Sequence, residues 1–291
     1  MEYRQAANGI KILNLRDFDI AEILECGQCF RFEKVSKNFY FLVAFGQMLY
    51  IRQFDSHVEF WYEGRRLDID EFKAIWEDYF DLKRDYGAIK AEIAKNDPIM
   101  QRAIDFAPGI RLLQQDPWET LISFIISQNN RIPQIKQVIK NIAAAFGDPI
   151  DGENFAFPTT RQLSTATAED LRALKAGFRD KYILAATTAN LPLTRDNALT
   201  TEELRKMLLS IKGIGEKVAH CVLLFGYGRY DSFPVDVWVR RVMENLYFDG
   251  KKTSPAQILA HAQNKFGQNA GFANQYLFHY VRKTYRHDEY S

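Results

Sequence analysis

The hydrophobic period changes once along this chain, and that change limits the folds open to it. Between residues 8 and 63 the apolar residues come in short runs: IKILNL, CFRFEKV, FYFLVAF, MLYIRQF and VEFWYEG. The runs are rich in aromatic and β-branched side chains. They are separated by turn-forming pieces such as Ser36-Lys37-Asn38, a pattern that predicts an antiparallel sheet. Between the first two, DFDIAEILEC predicts a short helix capped by Asp17 or Asp19. From Asp68 onward the period becomes 3.6. Segments from DEFKAIWEDYF to FANQYLFHYVRKTYR carry apolar residues at i, i+3, i+4, with Gly, Pro, Asp or Asn between them. The expectation is an α+β chain: an N-terminal antiparallel β-sheet lobe over residues 1–70, then an all-helical lobe over residues 71–291. No fixed-length repeat is present, which argues against a solenoid.

At 291 residues and 47% hydrophobic, the chain is long and apolar enough to bury a sizeable core. Its 38 basic and 37 acidic residues leave a net charge of +1, so bulk charge does not hold it to nucleic acid. A local anion site is still open, because backbone amides at helix starts also contact phosphate. Cys26 and Cys29 have C-x-x-C spacing, but Cys221 is the only other cysteine, so no four-cysteine metal site can be completed. Neither a metal nor a cofactor is expected. No apolar run approaches the ~20 residues that span a bilayer, and no secretory leader is recognisable. The expectation is a soluble cytoplasmic protein.

The chemistry concentrates in LLSIKGIGEKVAHCVLLFGYG, residues 208–228. One amphipathic helix runs into Gly213-Ile214-Gly215 and a second begins at once. Two glycines allow a sharp turn with φ > 0, and the amides that follow point outward as an anion site. A tight turn pinned by Ile214 explains the same residues without any ligand. Lys217 sits where the helix dipole disfavours a cation, and partial burial acts in the same direction. Both effects favour the free amine, which is a nucleophile able to form Schiff bases. A solvated surface lysine is the plainer alternative. Downstream, Pro234 and Asp236 open another helix in SFPVDVWVRRVMENL. Asp236 is expected at the N-cap, a complete structural role for an aspartate. A carboxylate held by cap amides is also expected to stay ionised and to stabilise nearby positive charge.

IKGIGEKVAHC followed by FPVDVWV resembles the helix-hairpin-helix, Gly/Pro-Asp superfamily of DNA base-excision glycosylases. Within it, the chain is similar to 8-oxoguanine DNA glycosylases. Further segments that carry the resemblance are ECGQCFRF, IRLLQQDPWETLISFIISQNNRIPQI, LKAGFRDKY and AGFANQYLF. The resemblance implies a TATA-binding-protein-like N-terminal lobe and a glycosylase with abasic-site lyase activity. It implies that Lys217 attacks C1′ of the damaged nucleotide and that Asp236 stabilises the cationic transition state. Gly27 corresponds to the glycine whose carbonyl accepts N7–H of 8-oxoguanine. Cys221 and Phe278 correspond to the residues that pack on the two faces of the flipped base. Asn274 or Gln275 corresponds to the glutamine on its Watson–Crick edge. Asn129, Phe178 and Arg179 correspond to residues around the estranged cytosine, Phe178 replacing a tyrosine wedge.

Gln134 stands where the family has an arginine, which implies relaxed choice of the opposite base. Trp238 replaces a histidine near a phosphate or base contact. The implied partner is duplex DNA containing 8-oxoguanine, bound by a monomer without an obligate protein partner. Alternatives are an alkyl-purine or mismatch glycosylase, or a non-catalytic helix-hairpin-helix module. The absence of cysteine after Cys221 argues against iron–sulfur relatives, and Lys217 against the alkyl-purine enzymes and the non-catalytic module.

Overall fold

The computed structural model describes residues 1–288. Six strands, β1 (Glu2–Gln5), β2 (Gly9–Leu13), β3 (Phe32–Ser36), β4 (Phe39–Ala44), β5 (Gln47–Gln53) and β6 (His57–Trp61), form one antiparallel sheet in the order β1-β2-β6-β5-β4-β3. The short polar strand β1 is an addition to the sequence reading, which began the sheet at β2. Alternate residues face inward: Ile10 and Ile12, Tyr40 and Leu42, Leu49 and Ile51, Val58 and Phe60 are all buried. They pack on α1 (Ile20–Glu25), whose N-cap is Asp19, and on Phe72 and Trp76 of α2 (Ile69–Tyr79).

Among the described residues twelve further α-helices follow. They are α3 (Tyr86–Ile93), α4 (Pro98–Phe106), α5 (Pro117–Ser127), α6 (Ile132–Phe146), α7 (Thr160–Leu163) and α8 (Ala168–Ala173). Then come α9 (Asp180–Thr187), α10 (Thr201–Ser210), α11 (Glu216–Phe225), α12 (Val237–Val242), α13 (Pro255–Phe266) and α14 (Ala270–Asp288). The four-residue α7 escaped the periodicity because one turn is too short to show a face. An α+β architecture results, with the sheet lobe first and the helical lobe after it. α5 and α11 are buried nearly all round, which marks them as the centre of the helical lobe. The Phe124 and Phe225 rings stack between them at 5.5 Å.

The two lobes meet at the turn after α1. Gln28 is fully buried there. Its amide nitrogen donates to the carbonyls of Ile23 (2.9 Å) and Arg111 (2.8 Å), and its side-chain oxygen accepts from Leu113 N at 2.9 Å. The CGQC segment is therefore a lobe junction. All three cysteines are free and buried, and burial pushes the Cys26 thiol up to about 11. No described helix is long and apolar enough to cross a membrane.

Candidate active site

The hairpin is built by two glycines with different reasons. Gly213 has φ +91°, and a Cβ there would stand 2.1–2.5 Å from atoms of the Tyr182 ring. Gly215 has φ −103° and open space around it, so the expectation of φ > 0 at both glycines is corrected to Gly213 alone. Ile214 is buried and anchors the turn. Gly215 is the N-cap of α11 and offers no side-chain cap, which leaves the first amides of α11 without a side-chain acceptor.

Lys217 is the second residue of α11. Because α11 packs on α5, its Nζ reaches Ser127 Oγ at 3.5 Å and lies 5.2 Å from the Phe124 ring centroid. Asp236 is the N-cap of α12, its carboxylate accepting from Val239 N at 2.8 Å. Burial nevertheless pushes this carboxyl above the usual aspartate range, against the opposing pull of the cap bond and the Lys217 charge. Desolvation is the largest effect, so the cap amides do not set the direction of the shift.

Lys217 and Asp236 line one cavity of about 590 Å³. Gly27, Cys221, Trp238, Asn274, Gln275 and Phe278 line it as well, although they come from both lobes. Cys221, one turn beyond Lys217, is buried, and its thiol is pushed up to about 11 by burial, so it presents a neutral polarisable surface. Gly27 has φ +88°, and a Cβ there would meet Phe278 Cε1 at 3.1 Å and Arg282 Nη1 at 2.8 Å. The two amides the sequence could not separate are held differently. Asn274 Nδ2 donates to the Pro234 carbonyl at 2.9 Å, and Gln275 Nε2 donates to the Cys26 carbonyl at 3.0 Å.

The other anticipated residues lie outside the cavity lining. Asn129 is exposed at φ +48° on the loop after α5, and its neighbours Asn130 and Arg131 line the rim. Arg179 is 7% exposed and holds that loop from behind. Its Nε donates to the Gln128 carbonyl at 2.9 Å and its Nη2 to the Asn129 carbonyl at 2.9 Å. Phe178 is 48% exposed, unusual for so large an apolar ring, with the Arg179 guanidinium 4.5 Å from its centroid. Sequence reasoning missed Phe30, Phe124, Ser127 and Arg282 as lining residues. Arg282 was within reach of it, since i+4 from Phe278 shares a helix face.

Residues 11–121 match the 8-oxoguanine DNA glycosylase N-terminal domain family, and residues 122–268 match the HhH-GPD superfamily of base excision DNA repair proteins. The chain belongs to the 8-oxoguanine glycosylase/lyase family of the HhH-GPD superfamily. It is similar to a solved structure of MBOgg1 in complex with a low-affinity DNA ligand. That likeness has 40% identity and a TM-score of 0.91, and covers 98% of this chain and 99% of the other. It is also similar to the Clostridium acetobutylicum 8-oxoguanine glycosylase/lyase bound to duplex DNA with cytosine opposite 8-oxoG. There the identity is 36% and the TM-score 0.92, over 98% and 99% of the two chains. Among curated sequences, a probable N-glycosylase/DNA lyase of Methanothermobacter thermautotrophicus is 29% identical over 70% of this chain and 73% of its own. The family member described here is accordingly an enzyme of the N-glycosylase/DNA lyase type.

Proposed function

We propose that this family member flips 8-oxoguanine out of duplex DNA into the cavity, excises it and nicks the strand. The observation that supports this reading is the convergence of an amine, a carboxylate and a base-sized slot in one cavity. The Lys217 amine attacks C1′ as the C1′–N9 bond breaks and the base departs with the bond's electron pair. Ring opening then gives an iminium between Lys217 and C1′. Loss of a C2′ proton expels the 3′ phosphate by β-elimination. Asp236 stabilises the positive charge that develops at the sugar. Its raised affinity for protons also suits it to carry one between steps.

Cys221 and Phe278 receive the two faces of the base. The Gly27 carbonyl accepts N7–H. Guanine carries a lone pair at N7, and acceptor would face acceptor, so the site rejects it. The amides of Gly213 and Gly215, with the uncapped amides that open α11, hold a backbone phosphate. Phe178 enters the duplex stack, and Asn129 and Arg179 contribute at the estranged base, Arg179 through the loop it holds. Trp238 contacts the strand at the rim. Every group invoked comes from one chain, so a monomer suffices.

Borohydride reduction of the iminium tests the reading. Wild type on a duplex containing 8-oxoguanine is expected to give a covalent adduct. No adduct with wild type, or an adduct that persists in Lys217→Gln, defeats the assignment.

A further inference from the structure

Four successive carbonyls run through the lobe junction at residues 25–28, and three have side-chain donors. Arg282 Nη2 donates to the Glu25 carbonyl. Gln275 Nε2 donates to the Cys26 carbonyl at 3.0 Å, and Gln115 Nε2 to the Gln28 carbonyl at 2.8 Å. Among the described residues the Gly27 carbonyl has no donor. Gly27 is partly buried and lines the cavity, so an acceptor left open there, between three that are bonded, marks a place for an incoming donor.

Two of the three donors come from one face of α14. Gln275, Phe278 and Arg282 follow one another at i, i+3 and i+7, so the face carrying Phe278 also grips the turn. Arg282 is 9% exposed, and its guanidinium lies 5.3 Å from the Phe278 ring centroid. Its Nη1 occupies the space beside Gly27 that any side chain would need. It therefore meets three things at once: it bonds the backbone before Gly27, fills the space beside the glycine, and lies by the ring.

We infer that Arg282, assisted by Gln275, is a positioning residue that holds the Gly27 carbonyl and the Phe278 ring in fixed relation. The clamp then sets discrimination between bases that carry a donor at N7 and those that do not. A guanidinium suits this task because its rigid fork can serve the carbonyl while its plane lies against an aromatic ring. The inference rests on the base-pocket reading above and adds residues to it.

The test pairs a protein change with a single-atom substrate change. Wild type, Arg282→Met and Arg282→Lys are assayed under single-turnover conditions on 8-oxoguanine and on its analogue with carbon in place of N7. Strand cleavage at a preformed abasic site is measured alongside. The ratio of 8-oxoguanine to analogue rates is expected to fall roughly tenfold in Arg282→Met, the scale of one misplaced hydrogen bond. Arg282→Lys should recover part of it, since an ammonium can still donate to the Glu25 carbonyl. Equal losses in all three reactions, or an unchanged ratio, overturn the inference by reducing Arg282 to a packing residue. Should Arg282→Met fail to fold, Arg282→Gln, which keeps a polar end without the fork, is held to the same ratio. Failure of wild type to excise 8-oxoguanine at all would instead defeat the base-pocket reading itself.

Discussion

The two hairpin glycines should respond to alanine in opposite ways. At Gly213 an alanine must adopt φ +91°, which costs about 1–2 kcal/mol for an L residue. Its Cβ must also displace the Tyr182 ring from 2.1–2.5 Å, an overpacking of about 1–3 kcal/mol. Together these give roughly 2–5 kcal/mol, or a fall in Tm of roughly 3–8 °C for a chain of this length. At Gly215 the backbone is one any residue adopts and nothing lies within 4 Å. Lower unfolded-state entropy gains about 0.4–1 kcal/mol, offset by a similar loss at an N-cap, where alanine is poor. Stability should hardly move. DNA affinity should, because the open space at Gly215 is where a phosphate would approach the α11 amides. The assay is differential scanning calorimetry for both variants, with titration of a fluorescent abasic-analogue duplex at fixed salt. Gly215→Ala is expected to melt like wild type and bind several-fold more weakly. A neutral Gly213→Ala, or a Gly215→Ala that binds as wild type does, refutes the division of roles.

Asp236→Asn retains a good N-cap but removes the charge, so single-turnover excision should fall by roughly 10²–10³ with the fold intact. The same variant should melt higher than wild type at neutral pH. A carboxyl whose folded pKa lies above its unfolded value binds more protons when folded, so stability falls as pH rises between the two values. The Tm difference between wild type and Asp236→Asn should therefore shrink on acidification through the ordinary aspartate range. Phe178→Ala should leave Tm nearly unchanged, because the ring is 48% exposed, while slowing excision from duplex more than from single-stranded substrate. Arg179→Met should lower Tm, since the Gln128 and Asn129 carbonyls lose a charged donor worth about 1.5–3 kcal/mol. Exposed Gln134 at the start of α6 should permit comparable excision opposite C, T, G and A; a strong preference for C counts against it.

What the sequence revealed and what it hid divide along physical lines. The strands β2–β6 and the long helices were legible because each buries a continuous face, and a face leaves a period. Asp19 and Asp236 were legible as caps because a cap is a local event. β1 was not: its four residues are almost wholly outward-facing, so no alternation marks them. Gln28 was hidden for a different reason. Inside CGQC it reads as a spacer between cysteines, yet it joins Ile23, Arg111 and Leu113 across more than eighty residues of chain. No local pattern announces a buried polar side chain whose partners are distant backbone groups. The upward shift of the Asp236 carboxyl was hidden on the same ground, since the cap is local but the burial that outweighs it comes from the whole cavity.

The cavity itself shows why site residues were easier to nominate than to arrange. Lys217 and Cys221 are one turn apart, so their shared face follows from helix geometry. Their relation to Gly27 depends instead on how α14 meets the lobe junction, through Gln275 on the Cys26 carbonyl and Arg282 on the Glu25 carbonyl. On the reading proposed above, selectivity in such a site is a property of that joint. The nucleophile can be held well by one helix alone, but an acceptor that must discriminate by one hydrogen needs its backbone fixed from both sides. Chemistry and recognition here thus rest on different kinds of structure, one local to α11 and one spread across both lobes. Perturbations at the joint should change recognition, where perturbations at Lys217 should change the chemistry.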